Sequence, residues 1–229
     1  WDSAEEFVLG RGHRAATGVY KGVDIAAYSS GVGGPSMEPV LTDLAALGVH
    51  TIIRVGTTGA LQDGMNCGEL VINEASVRMD GKSRLYVRDE FPAAASYEAT
   101  LALVEACDLT GLRCHVGIGA TAGSFFAGQG RASFGGYKRS GTDEMVTDLQ
   151  QANVLNFEME AAALFTLSRL FGIRSGAVCA IVANRVTGEW AEEDGIENAC
   201  LAGAEAVRLL HTWDQKKLAA GKRYFRLGE

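Results

Sequence analysis

The chain has 229 residues, of which 47% are hydrophobic and 21% charged, and its formal net charge is −7. That is enough apolar material for a sizeable core, and the acidity argues against a general nucleic-acid binder. No apolar run reaches the length of a membrane span, and the N-terminus WDSAEEFVLGRGHR lacks the basic-then-apolar order of a signal peptide. The five cysteines (67, 107, 114, 179 and 200) are odd in number and contain no C-x-x-C, so they suit reduced thiols of a cytoplasmic protein better than a disulfide framework or zinc site.

In chain order, GVDIAAYSS (22–30) is a short apolar run that ends in the turn signal GVGGPS. Met37, Val40, Leu41, Leu44 and Leu47 then recur at helical spacing before Gly48, with Pro39 expected in the first turn. VHTIIRVG (49–56) and GELVINEASVR (68–78) predict strands. SYEATLALVEACDLTG (96–111) predicts a helix with a Gly stop, and CHVGIGATAGSFF (114–126) a strand. A polar stretch with one short helix leads to NVLNFEME. A helix over 161–172, a buried strand over 175–184 and a long helix over 196–218 complete the series. Alternating strands and helices predict one α/β domain over 1–229, a mixed, mainly parallel twisted sheet flanked by helices. Ligands bind such sheets at the carboxyl ends of the strands. GVGGPS, RVGTTGAL, GSFFAGQGR, NFEME and ANRV all fall there, so five strand ends are expected to line one cleft.

Each motif has a chemistry. Arg54 followed by a Gly-Thr-Thr-Gly turn offers a guanidinium, two hydroxyls and backbone N–H groups, which suit an oxyanion such as phosphate. A strand-ending turn beside a surface Arg is the plainer alternative. SSGVGGPS fits the dinucleotide pattern badly, because Ser36 replaces its third glycine and no acidic ribose ligand follows. SFFAGQGRASF joins two aromatic rings to Gln129 and Arg131. An amide that both donates and accepts, beside a guanidinium that only donates, can recognise the edge of a uracil ring. Taken by itself, that stretch is read more simply as a surface turn beside two core aromatics. In NFEMEAAALF, Glu160 is either a helix N-cap or an acceptor for two vicinal hydroxyls. The histidines (13, 50, 115 and 211) make no ligand pattern with Glu158 and Glu160, so no metal is expected. A two-carboxylate glycosidase needs groups facing each other across a bond, which one short segment does not supply.

Together GRGHRAATGVYKG, SSGVGGPS, RVGTTGAL, SVRMDG, EFPA, FFAGQGR, NFEMEAAALFTL and VANR resemble the nucleoside phosphorylase superfamily, in the branch marked by Gln-x-Arg at the base. The resemblance runs from about Arg11 to about Leu210. It implies phosphorolysis of uridine, or of deoxyuridine or thymidine, to uracil or thymine and a pentose 1-phosphate in pyrimidine salvage. A phosphate-independent hydrolase and a nucleoside-binding protein without turnover are the alternatives. Phosphate would be held by Arg54, Gly56, Thr57 and Arg11, the last reaching across a homodimer interface. Thr57, Met159 and Glu160 would hold ribose, and Phe125, Gln129, Arg131 and Arg185 the uracil, with Arg185 on a loop able to close. Arg54, Thr57, Gln129, Arg131 and Glu160 would carry catalysis. Phosphate is a co-substrate and no cofactor is implied. An interface cation held by a Glu in some members has Gly12 at its place here. The resemblance also implies a strand and a Pro-Gly-Asp-Pro-x-Arg turn ahead of Trp1, and a His reaching a neighbour's ribose. Ala127 stands for the usual Pro, and the late loop carries Asn184 and Arg185 where purine-specific relatives have a catalytic Asp.

Overall fold

The computed structural model describes residues 1–191 and 193–226. Three strands open the chain, β1 (Ser3–Val8), β2 (Arg14–Tyr20) and β3 (Val23–Tyr28), and form an antiparallel sheet of their own. Sequence patterning identified only the last of them. All six residues of β1 are exposed, so it lacks the buried-face alternation that marks a strand. Lys21 and Gly22, at φ 47° and 77°, form the two-residue turn between β2 and β3, the positive-φ geometry that matches strand twist. This turn is tied down by Glu205. Its Oε2 accepts from the Tyr20 hydroxyl at 2.9 Å and from Lys21 Nζ at 3.0 Å.

The remaining elements are α1 (Gly34–Ala46), β4 (Thr51–Ala60), β5 (Leu70–Met79), β6 (Ala93–Ala94), α2 (Tyr97–Thr110), β7 (Cys114–Ala122), α3 (Thr142–Gln151), β8 (Asn156–Glu158), α4 (Ala161–Phe171), β9 (Arg174–Asn184) and α5 (Ile196–Ala219). The second sheet runs β6-β5-β7-β8-β4-β9, and β9 pairs back onto β5, so five of its strands close into a ring. The fold is α/β with a mixed sheet flanked by helices. Parallel pairs (β4–β9, β5–β7, β7–β8) and antiparallel pairs (β4–β8, β5–β6, β5–β9) are equally frequent, so the sheet is less parallel than expected.

Two local expectations are corrected. The Gly-Thr-Thr-Gly segment is not a turn. β4 continues through it, and Gly56, Thr57 and Thr58 pair in parallel with Cys179, Ala180 and Ile181. The long partner β9 supplies a ladder that local propensity could not anticipate. Helix α1 starts at Gly34, three residues earlier than the apolar spacing suggests. Its first turn therefore holds Pro35, and Pro39 lies inside the helix.

Two apolar layers flank the closed sheet. Leu70, Ile72, Leu103, Val178, Leu209 and Trp213 gather where α2 and α5 cover β5 and β9. Met37, Leu41, Leu164, Phe165 and Leu167 gather where α1 meets α4. Residues 161–168 of α4 are all buried, Thr166 and Ser168 included, so this part of the helix is enclosed around its whole circumference, as a core helix is. Among the described residues, no helix is long and apolar enough to cross a membrane.

Candidate active site

β8 is only three residues long, yet it sets the site. It is wedged between β7 and β4, pairing with Ala120 and Thr121 on one side and Gly59 and Ala60 on the other. Buried polar groups fix its position. Asn156 accepts from Asn73 Nδ2 and donates to Thr58 Oγ1, both at 2.7 Å, and Thr58 Oγ1 donates to the Phe157 carbonyl at 2.6 Å. Each of these groups is satisfied, as buried polar groups must be.

The two carboxylates that follow have different tasks. Glu158 is 2% exposed. Its Oε2 accepts from the backbone N–H groups of Glu160 and Ala161, both at 2.7 Å, and its Oε1 accepts from the Thr121 hydroxyl. Glu158 thus satisfies the first free N–H groups of α4, a capping task. Glu160 occupies the N-cap position but makes no side-chain cap. Its Oε1 instead accepts from the Gly33 N–H at the start of α1, and its Oε2 from Arg54. The capping alternative therefore passes from Glu160 to Glu158, and Glu160 instead ties Arg54 to the start of α1.

Arg54 lies between them. Its Nη2 bonds Glu160 and stands 3.4 Å from Glu158, while Nη1 lies 2.7 Å from Cys179 Sγ. The guanidinium folds over the backbone of Gly56. A Cβ at that position would come within 2.5 Å of Nη1. So Gly56 is required for close approach rather than for a turn. Burial acts to lower the Arg54 pKa, but Cys179, Glu158 and Glu160 outweigh it and hold the guanidinium charged. Burial pushes the Glu158 carboxyl upward, against Arg54 and Thr121, and raises the Cys179 thiol to about 11. Thr57, beside this group, is exposed and its hydroxyl has no partner among the described residues. Met159, between the carboxylates, is half-buried.

A second group gathers past the ends of β7 and β9. Gln129 is 5% exposed, in a short 3-10 turn over Ala127–Gln129. Arg131 Cζ lies 4.9 Å from the Phe125 ring centre, and Phe125 meets Phe126 edge to face at 5.2 Å. Arg185 Nη1 donates to the Gln129 carbonyl at 2.8 Å, and its own N–H donates to the Ala60 carbonyl at the end of β4. Burial lowers the pKa of both Arg131 and Arg185, and for Arg185 the nearby Arg131 adds to it. No carboxylate is paired with either guanidinium among the described residues, and Arg131 Nε is buried without a partner. The result is a positive, aromatic-walled recess.

Phe125, Gln129, Arg131 and Arg185 thus come together, as do Arg54, Gly56 and Glu160, with Met159 between the two glutamates. The two groups are linked by Thr121, the penultimate residue of β7, which bonds Glu158, and by Ala60, which ends β4 and bonds Arg185. Arg11 belongs to the 3-10 turn Gly10–Gly12, but its side chain lies outside the described residues. Sequence reasoning missed Thr121 and Cys179. Neither residue carries a local motif, since a threonine and a cysteine inside apolar strands look like ordinary core.

Two clusters of polar side chains thus lie at the ends of the strands of one mixed sheet, as in enzymes of the phosphorylase class. A sequence model of the Phosphorylase superfamily matches residues 2–212, and the chain belongs to that superfamily. It is 50% identical to a uridine phosphorylase of Thermococcus kodakarensis over 228 residues, covering 100% of this chain and 82% of the relative. It is 36% identical to a uridine phosphorylase of Haemophilus influenzae over 197 residues, 86% of this chain and 78% of the relative. A guanosine phosphorylase of Halorubrum lacusprofundi is 34% identical over 187 residues, 82% of this chain and 72% of the relative.

Proposed function

We propose that this protein is a pentosyltransferase that converts uridine and phosphate into uracil and ribose 1-phosphate. The observation that carries the choice of base is the recess at Gln129. It holds an amide, an aromatic wall and two guanidiniums that have no paired carboxylate among the described residues. A pyrimidine that leaves as an anion fits a positive, preorganised recess, and such electrostatic stabilisation is the largest usual contribution to catalysis. The 50% identity to a uridine phosphorylase over the whole chain supports the same substrate.

In the reaction, the bond between C1′ and N1 breaks and its electron pair leaves with uracil. Arg131 and Gln129 stabilise that charge, and Arg185 holds the Gln129 turn. Positive charge builds on the sugar, and a phosphate oxygen bonds to C1′ from the opposite face. Glu160 accepts from the ribose 2′ and 3′ hydroxyls, helped by the Met159 backbone and Thr57. Uracil then takes a proton. No side chain forms a covalent intermediate. Positioning and fixed charge do the catalytic work.

Arg54 stands between two glutamates, so this cluster has no net positive charge to attract phosphate. Phosphate binding there needs a further cation. Arg11 of a second copy supplies it in the proposed arrangement, a cytoplasmic homo-oligomer with sites completed across a dimer interface. The strongly exposed apolar side chains Val8, Val32 and Phe134 support contact with a second copy. Residues 1–229 are proposed to form a single domain.

The test is uracil release from uridine with and without inorganic phosphate, followed by ultraviolet absorbance. Release is expected only with phosphate. Equal release without it would make the protein a hydrolase and overturn the proposal.

A further inference from the structure

The late loop is not an extended flap. It is a short hairpin built on the end of β9. Asn184 N–H donates to the Glu189 carbonyl at 3.0 Å, Gly188 N–H donates to the Asn184 carbonyl at 2.9 Å, and Trp190 bridges back to Ala183. Asn184, 2% exposed, pins the hairpin from both sides. Its Oδ1 accepts from Val186 and Thr187 N–H at 2.7 and 3.1 Å, and its Nδ2 donates to the Met65 and Gln62 carbonyls at 2.7 and 3.1 Å.

This hairpin delivers the Trp190 indole to a defined place. The Arg131 Cζ lies 5.9 Å from the Trp190 ring centre and 4.9 Å from that of Phe125. Among the described residues, no hydrogen bond or ion pair engages the Arg131 side chain, and its Nε is buried and unpartnered. A guanidinium is normally oriented by a carboxylate fork. Among the described residues, two aromatic rings face it, and each attracts a cation within about 6 Å of its centre. Trp190 is 52% exposed and Phe125 41%, so both rings line an open recess rather than a closed core.

We propose that Trp190 is a positioning residue of the base site, which with Phe125 holds the Arg131 guanidinium so that its free N–H groups face the carbonyl of the departing base. The inference rests on the uridine phosphorolysis reading and adds a residue to it. A carboxylate in the same place would fix Arg131 equally well, but would also neutralise it. An aromatic ring orients the guanidinium and leaves its charge available to the leaving base.

The test compares wild type, Trp190→Ala and Trp190→Phe on uridine and on 5-fluorouridine, whose base is the better leaving group. Trp190→Ala is expected to lower kcat on uridine between about three- and thirtyfold, the span of a cation–aromatic contact. The loss on 5-fluorouridine is expected to be smaller, because that base needs less help from Arg131. Trp190→Phe is expected to restore most of the uridine rate. Uracil titration should change the tryptophan emission of wild type and leave that of Trp190→Phe almost unchanged. Equal losses on the two substrates, or full activity in Trp190→Ala, would overturn the role of Trp190 alone. Wild-type protein that neither binds uracil nor cleaves uridine would overturn the base site itself, and this inference with it.

Discussion

Replacing Glu158 by Gln changes one buried atom and tests the division of labour between the two glutamates. The Glu158 carboxylate accepts from the Glu160 and Ala161 N–H groups and from Thr121, and stands 3.4 Å from Arg54. An amide has a single acceptor oxygen, so either Thr121 or the two N–H groups of α4 would face its NH2. A charge-assisted hydrogen bond contributes about 1.5–3 kcal/mol and a neutral one about 1, while a buried donor left unpaired costs about 1–3 kcal/mol. The Thr121 hydroxyl can turn to donate to Ser76 and accept from the amide, so the loss is the charge assistance of the two α4 bonds, which predicts a destabilisation of about 1–3 kcal/mol. It also frees the backbone of Glu160, whose carboxylate is the proposed acceptor for the ribose hydroxyls. The KM for uridine should rise about tenfold, and the preference for uridine over 2′-deoxyuridine should narrow. Urea unfolding and steady-state kinetics on both substrates measure these effects. An unchanged urea midpoint together with unchanged substrate preference would refute the capping assignment.

Gly56→Ala should displace the Arg54 guanidinium, whose Nη1 would lie 2.5 Å from the new Cβ, and raise the KM for phosphate with little effect on uracil affinity; an unchanged phosphate KM would contradict that geometry. Arg131→Ala should lower kcat on uridine on the order of a hundredfold, as the loss of one preorganised donor does; unchanged kinetics would remove Arg131 from the site. Glu205 governs part of the acid stability. Burial opposes its ionisation, but Arg208, Lys21 and Tyr20 hold its pKa down to about 2. The folded value is below the unfolded one of about 4.3, so its contribution is full above that pH and fades as pH falls toward 2. Urea melts of wild type and Glu205→Gln should therefore converge across that window; a constant difference would show that the charge is not what matters.

The helices were legible because their ends are marked chemically. Gly111 and Gly172 take left-handed φ values of 69° and 71° and stop α2 and α4 where the sequence places them. The long strands β5, β7 and β9 were legible as apolar runs bounded by glycine and polar residues. β1 and β2 were not, since a sheet exposed on its outer strand has no buried face to impose a pattern. The closure of β9 onto β5 was also invisible, because pairing partners are chosen by tertiary context and leave no periodicity. In the site, residues whose chemistry is rare in a core stood out: Arg54, Gln129, Arg131 and Glu160. Glu158 was visible but not interpretable. Its meaning depends on two N–H groups and a threonine that only β7 and α4 bring to it.

Asn184 joins two parts of the molecule that lie 119–122 residues apart in sequence. On one side it grips the segment after β4 through the Gln62 and Met65 carbonyls; on the other it closes the hairpin through Val186 and Thr187. Gly188 and Glu189 also bond its backbone, so every residue of the hairpin tip from 186 to 189 is tied to this one asparagine. The side chain acts as a splice: what alters the hairpin tip is felt at residues 62–65 as well.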